Sequence, residues 1–178
     1  DIYAFKEMDL TPKLIGKSKI KDGNIYAAVE PVLVSKDSSF FSVKDAFNLI
    51  LLNGLNTGEL HFYGQGAGKN PTANSIILDV INIIKGIYES ENINIDDNTQ
   101  EYKPLGFDGK YYFRFTFKDV KDIDLLLEDI VQYSQCKLIK ENKNVIAIFE
   151  WLSRKNVDEI INKAQGLGVD YFYSRIDG

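Results

Sequence analysis

The residues with chemical content are concentrated in one run, Tyr63-Gly64-Gln65-Gly66-Ala67-Gly68-Lys69-Asn70-Pro71-Thr72-Ala73. Its glycines let backbone approach a ligand with no Cβ in the way, and a helix opening behind them leaves its first N–H groups free for an anionic or carbonyl acceptor. Two phosphate-binding patterns fail here. A P-loop needs glycine at 63 and Ser or Thr at 70, where Tyr63 and Asn70 stand. A dinucleotide fingerprint running from Gly64 through Gly66 needs glycine at 69, where Lys69 stands, and no parallel βαβ unit surrounds it. On pattern alone, a tight strand-to-helix turn with no ligand stays open.

Elsewhere the supply of reactive groups is thin. One histidine, His61, and one cysteine, Cys136, leave almost no material for a zinc site or for a Cys-His or Ser-His nucleophilic pair, which removes most hydrolases. Lys69 reads as a solvated loop charge and His61, beside Phe62, as a strand residue, so neither is assigned a catalytic role. No metal ligand is assigned either. A single cysteine forms no internal disulfide, and the cytoplasm is the expected compartment.

The 178 residues carry a formal charge of −5 from 21 basic and 26 acidic side chains, which gives no electrostatic reason to bind nucleic acid or an anionic membrane. The apolar stretches, such as 46–52 (broken by Asn48) and 145–149, fall far short of the roughly 20 residues of a membrane span. With 44% hydrophobic and 26% charged residues the chain reads as one large globular domain or two small ones. It begins with Asp1 and no charged-then-apolar leader, so it is expected to be part of something longer.

The elements that position the glycine-rich run follow from periodicity. Residues 1–8 read as a short helix. Strands over 13–20 and 24–34 meet at Lys21-Asp22-Gly23, a hairpin turn signal, and two further strands run over 46–52 and 59–64. Asn70 is placed as the cap and Pro71 in the first turn of a helix whose apolar residues Ile76, Ile77, Val80, Ile81, Ile84 and Ile87 form a wide face, interrupted by Asp79, Asn82 and Lys85. That helix is expected to lie on a sheet. Between 92 and 109 Asn, Asp, Pro and Gly accumulate without apolar periodicity, which marks a linker.

Beyond it, Tyr111, Phe113, Phe115 and Phe117 alternate with Tyr112, Arg114 and Thr116 as a strand with one aromatic face, read as core and not as a base-stacking platform. A helix over 123–133 (Ile123, Leu126, Leu127, Ile130, Val131) follows, then strands over 136–140 and 145–151. A helix over 154–166 capped by Ser153 or Asn156, with Val157, Ile160, Ile161 and Ala164 inward, and a last strand over 169–176 complete the chain. The order β-α-β-β-α-β folds by right-handed crossovers into a ferredoxin-like antiparallel sheet with both helices on one face. The fold class is α+β: an antiparallel sheet with a long packing helix, then a ferredoxin-like βαββαβ domain.

The run Gly64-Gln65-Gly66-Ala67-Gly68-Lys69-Asn70-Pro71-Thr72-Ala73-Asn74-Ser75, followed by Ile77-Leu78-Asp79-Val80, resembles the G-x-G-A-G-x-x-P-T-A-S-A…D-[LIV] signature of homoserine dehydrogenases. Upstream, Asp1-Ile2, Lys6-Glu7, Lys13-Leu14-Ile15-Gly16, Val29-x-Pro31-x-Leu33-Val34 and Ala46-Phe47-Asn48 before Gly54 match in order. The later βαββαβ unit resembles the ACT domain that many bacterial members carry. The resemblance implies residues 1–91 as the C-terminal part of the catalytic and dimerisation domain, 92–109 as linker and 110–178 as an ACT-like regulatory domain.

It further implies an NAD- or NADP-dependent interconversion of L-homoserine and L-aspartate 4-semialdehyde, on the route to threonine and methionine. In the family the nucleotide-binding domain and the catalytic lysine lie upstream of the stretch matching Asp1, so this chain alone is expected to be inactive and to bind no cofactor by itself. Gly68 would present its backbone to the nicotinamide end, with Gly66 and Thr72 shaping the turn. A homodimer is the expected assembly. The ACT pattern D-x-x-G falls on Asp119-Val120-Lys121-Asp122, and a carboxylate in the glycine slot speaks against an amino-acid effector such as threonine. The alternatives are a stand-alone ACT-type amino-acid-binding module and a purely structural dimerisation piece.

Overall fold

The computed structural model describes residues 1–87, 102–104 and 107–177. Two compact units share the chain: residues 1–41 with 100–178, and residues 42–99.

In the first unit, the alternating aromatic stretch forms β6 (Gly109–Thr116), and α3 (Lys121–Ile130), β7 (Cys136–Glu141), β8 (Asn144–Leu152), α4 (Arg154–Gly166) and β9 (Asp170–Asp177) follow in the expected order. The strands lie β9-β6-β8-β7, every neighbouring pair antiparallel, which is the ferredoxin-like arrangement. Odd-numbered residues of β6 and β8 (Tyr111, Phe113, Phe115, Val145, Ala147, Phe149) pack beneath Ile123, Leu126, Leu127 and Ile130 of α3 and Val157, Ile160 and Ala164 of α4 in one core cluster. Phe113 stacks on Phe115 and Tyr173 and meets Phe149 edge-on. The start of α4 is closed by a capping box in which the Asn156 N–H donates to the Ser153 hydroxyl and the Ser153 N–H to the Asn156 side chain. Helix α3 ends at Ile130, three residues short of its expected extent, and Val131 is exposed.

The sheet does not stop at β9. A hairpin of β1 (Leu10–Lys21) and β2 (Asn24–Ser35), turning at Asp22-Gly23 with positive φ at both residues, joins it. Val32, Leu33 and Val34 of β2 run parallel to Arg175, Ile176 and Asp177 of β9. β5 (Tyr102–Pro104) pairs in parallel with Ile25 to Ala27 of the same strand. Helix α1 (Ile2–Glu7) lies on the sheet face opposite α3 and α4: Phe5 meets Tyr112 edge-on, and the Asp1 carboxylate accepts from Tyr112 Oη and from Arg114 Nε. Phe5, Leu33, Tyr112 and Ile148 form that second core.

Residues 1–41, placed by sequence with the first region, therefore share a sheet with the last one. Local periodicity carries no record of a pairing between strands some 140 residues apart, so the expected division of the chain and its contact-defined units differ. Of the expected linker, residues 92–101, 105 and 106 lie outside the described residues, 102–104 form β5 and Gly109 opens β6.

The second unit holds β3 (Phe47–Gly54) and β4 (Gly58–Gln65), an antiparallel pair that forms a sheet of its own, and α2 (Lys69–Ile84). Phe47 stacks on Tyr63 across the pair. Among the described residues of this unit none is buried. The helix carries its apolar residues at the expected helical spacing, and none of them is buried among the described residues.

Candidate functional site

The glycine-rich run sits where the sequence places it, between a strand and a helix, but the helix opens two residues early, with Gly68 and not Asn70 at its cap. Gly68 is the N-cap of α2, with φ 132°, a backbone conformation that L side chains rarely adopt. Asn70 is therefore inside the first turn and caps nothing, and Pro71 follows it. The physical reason is that glycine at 68 already supplies the unusual dihedral that starts the helix, three residues after β4 ends at Gln65, so the chain turns into the helix before Asn70 is reached.

No side chain caps α2. The Thr72 N–H donates to the Gly68 carbonyl at 3.1 Å, the first bond of the helix, and Ser75 Oγ donates to the Pro71 carbonyl at 3.1 Å. The N–H groups of Lys69 and Asn70 precede that bond and have no intrahelical acceptor, while Pro71 has no N–H at all. This end of the helix offers backbone donors beside a position without a Cβ.

Gly66 is held differently. Its N–H donates to the Ala46 carbonyl at 3.1 Å, extending the β3–β4 ladder, and a Cβ built on it would fall 1.7 Å from Asn48 Nδ2 and 3.0 Å from its Cγ. Asn48 therefore lies over Gly66, and any larger residue at 66 would displace the amide. Thr72 is exposed one turn into α2. Gly66, Gly68 and Thr72 thus share one strand-to-helix turn. Asn48 is the neighbour that pattern-matching on the glycines misses; the Ala46-Phe47-Asn48 run was the available signal.

The remaining candidates stay outside this turn. Lys69 is exposed as the first residue of α2. His61 Nε2 lies 2.5 Å from Glu59 Oε1 on exposed β4, a local strand pair. Cys136 is half-buried on β7 and burial raises its thiol above the usual range, away from reactivity. Among the described residues no group of three or more His, Cys, Asp or Glu side chains is placed to hold a metal ion. No described helix is long and apolar enough to cross a membrane.

A polar cluster in the first unit had no sequence signal beyond an arginine in a terminal strand. Arg175, with a side chain 6% exposed, donates from Nε to Glu30 Oε1 at 3.1 Å and from Nη1 to Asp177 Oδ1 at 2.9 Å. It ties β9 to β2 where the two run parallel. Lys17 and Lys19 lie over the Phe107 ring at 4.8 and 5.2 Å, and the Tyr111 hydroxyl donates to the Phe107 carbonyl. Burial, with the Glu30 carboxylate adding to it, pushes the Tyr111 phenol up to about 12.

Residues 1–81 match the homoserine dehydrogenase family model. The homoserine dehydrogenase of Synechocystis sp. is 40% identical over 82 residues, 42% of this chain and 19% of that protein. That of Lactococcus lactis is 26% identical over 147 residues, 76% of this chain and 34% of that protein. The crystal structure of a homoserine dehydrogenase from Thiobacillus denitrificans superposes with a TM-score of 0.70 at 22% identity, covering 99% of this chain and 44% of that one. The chain thus spans less than half the length of the proteins it matches, and the structural likeness extends through the ferredoxin-like unit. Over residues 1–81, which hold the glycine-rich turn, the chain is similar to the homoserine dehydrogenase family.

Proposed function

We propose that this chain is the C-terminal part of a homoserine dehydrogenase and supplies one wall of its cofactor site. The activity proposed for the whole protein is the NAD- or NADP-linked interconversion of L-homoserine and L-aspartate 4-semialdehyde. The observation that carries the reading is Gly68: a positive-φ glycine that caps the helix three residues after the strand and leaves backbone donors free, inside the segment matched by the family model. These residues fit a nicotinamide. The carboxamide needs donors and close backbone approach, and the first-turn N–H groups with a Cβ-free cap provide both.

When bound, the nicotinamide supplies hydride transfer. The work of this chain is positional. Gly68 lets main chain reach the ring, Gly66 keeps the strand end flush beneath Asn48, and Thr72 holds the first turn through its N–H bond to Gly68. The proposed division is 1–91 as catalytic-domain part and 110–178 as an ACT-like domain, in a cytoplasmic homodimer in which Asp122 disfavours an amino-acid effector.

The test is an NADPH-linked assay with aspartate semialdehyde. The isolated chain gives no turnover, and turnover above background would show the catalytic groups misplaced. Joined to the remaining part of a family member, the chain supports turnover, and Gly68→Ala lowers kcat/KM by about tenfold or more, because alanine strains the turn by roughly 1–3 kcal/mol. An unchanged kcat/KM would remove Gly68 from the site.

A further inference from the structure

We propose that Asn48 is a specificity-determining residue of the glycine-rich turn, whose side-chain carbonyl accepts from the carboxamide NH2 of a nicotinamide cofactor. The proposal rests on the homoserine dehydrogenase reading above and adds to it the side chain that recognises the reactive end of the cofactor.

The two glycines of the turn are glycine for different reasons. Gly68 needs its φ of 132°, whereas Gly66 is not among the positive-φ glycines, so its own backbone conformation does not call for glycine. What the missing side chain at 66 admits is the Asn48 amide: a Cβ there would fall 1.7 Å from Nδ2 and 3.0 Å from Cγ. Strand register explains the reach. Asn48 of β3 lies opposite Gly64 of β4, and positions 64 and 66 share a face, so the amide extends from one Cβ-free position to the next. A Cβ on Gly64 would meet nothing within 4 Å, which leaves open space beside the amide.

A second observation is that this amide is unused within the chain. Asn48 is exposed, and its side chain makes no hydrogen bond with any described residue. Other polar side chains of the same unit bond locally: Ser75 Oγ donates to the Pro71 carbonyl, and His61 pairs with Glu59. Room at 66 for an amide that bonds to nothing described in the protein is room for a ligand contact.

Donor and acceptor counting names the group contacted. A carboxamide has a C=O that accepts and an NH2 that donates. The free N–H groups at the start of α2 can serve the C=O and cannot serve the NH2. The Gly68 carbonyl already accepts from the Thr72 N–H. Asn48 supplies the missing acceptor: its Nδ2 is turned to Gly66, while Oδ1 lies 3.8 Å from the same point and faces away from it.

The experiment joins this chain to the remaining part of an NAD-dependent family member and measures binding by calorimetry. The ligands are NAD+ and its 3-acetylpyridine analogue, in which a methyl replaces the carboxamide NH2 and the C=O is kept. The ratio of their two Kd values cancels any loss common to both, so a merely structural role does not move it. The wild-type fusion prefers NAD+ by about tenfold, Asn48→Ala brings the ratio to about one, and Asn48→Asp, which keeps an acceptor, retains the preference. Gly66→Ala, whose Cβ takes the space of the amide, reproduces Asn48→Ala, and the double variant loses nothing further. Gln65→Ala removes an amide from the other face of β4 and keeps the full ratio. A wild-type ratio near one, or a ratio unchanged in Asn48→Ala, overturns the proposal, while NAD+ binding upholds the cofactor reading. Loss of the ratio in Gln65→Ala as well overturns it too, because any change at the turn would then suffice. Binding of neither dinucleotide by the wild-type fusion overturns both.

Discussion

The first unit seals Tyr111, Tyr112, Phe113, Phe115 and Phe149 at 0% exposure, whereas the second leaves Ile77 at 58%, Ile84 at 78% and Leu55 fully exposed. Both segments are rich in apolar residues at regular spacing, so composition does not separate them. The difference is whether each apolar face meets another. In the βαββαβ stretch each face has a partner: the inward rows of β6 and β8 meet α3 and α4, encoded nearby, and the opposite face receives Phe5 of α1 from the start of the chain. In the stretch 42–87 the helix and the hairpin each carry such a face, and no described residue there is buried. A helical pattern therefore announces a helix but not the surface that completes it.

The contrast breaks most readily in the packed unit. Phe113→Ala removes a ring held by stacking on Phe115 and Tyr173, and about 3–5 kcal/mol of stability is expected to go with it. Denaturant unfolding followed by Trp151, the only tryptophan and a residue of β8, reads this directly. A loss under ~1 kcal/mol would mean the core is less closed than its burial implies.

The next effect tests the joint between the early hairpin and the late sheet. Arg175→Met keeps most of the stem but leaves Glu30 and Asp177 without their cation, and breaking a largely buried pair in this way costs about 3 kcal/mol. The loss should appear in the same Trp151 transition if residues 1–41 and 107–177 unfold together. A separate early transition with an unchanged main one would show the hairpin to be only appended.

Tyr111 gives a pH dependence with a definite sign. Its folded value lies near 12 against about 10 in an unfolded chain, so the unfolded state loses the proton first. The contribution is fully present below pH 10 and is lost as pH rises from 10 to 12, roughly 2–3 kcal/mol in all. Tyr111→Phe should be less stable at neutral pH, having lost the bond to the Phe107 carbonyl, and should lose less than the wild-type chain between pH 10 and 12. Parallel pH profiles for the two proteins would remove Tyr111 as the source.

How far these features were legible in the sequence follows the same contrast. The βαββαβ order, the Ser153 cap and the inward residues of α4 could be read because each depends on neighbours within a few turns. The β2–β9 pairing and the Arg175–Glu30 link could not, since they join distant residues and leave no local periodicity. At the turn, the glycines and Thr72 were visible as a pattern, and the Ala46-Phe47-Asn48 run was visible beside them, while the placing of Asn48 over Gly66 was not, because strand register brings it there. Asn70 misled because its type suits a cap, but the dihedral at Gly68 had already started the helix.

The smallest effect is the sharpest test of the comparison. Ile77 and Phe113 are both large apolar residues in regular elements, and a rule based on residue type alone would give both a core penalty. Ile77 is 58% exposed on a helix with no buried residue, so Ile77→Ser in the isolated chain removes little area from any contact and should shift the Trp151 transition by less than about 0.5 kcal/mol. In the chain joined to the remaining part of a family member the same substitution should cost several times more, because serine would then replace a side chain pressed against a neighbour and its hydroxyl would be buried without an acceptor. Equal costs in the two settings would mean that α2 faces water in both, and the contrast between the units would then reflect two kinds of surface and not one finished and one unfinished core.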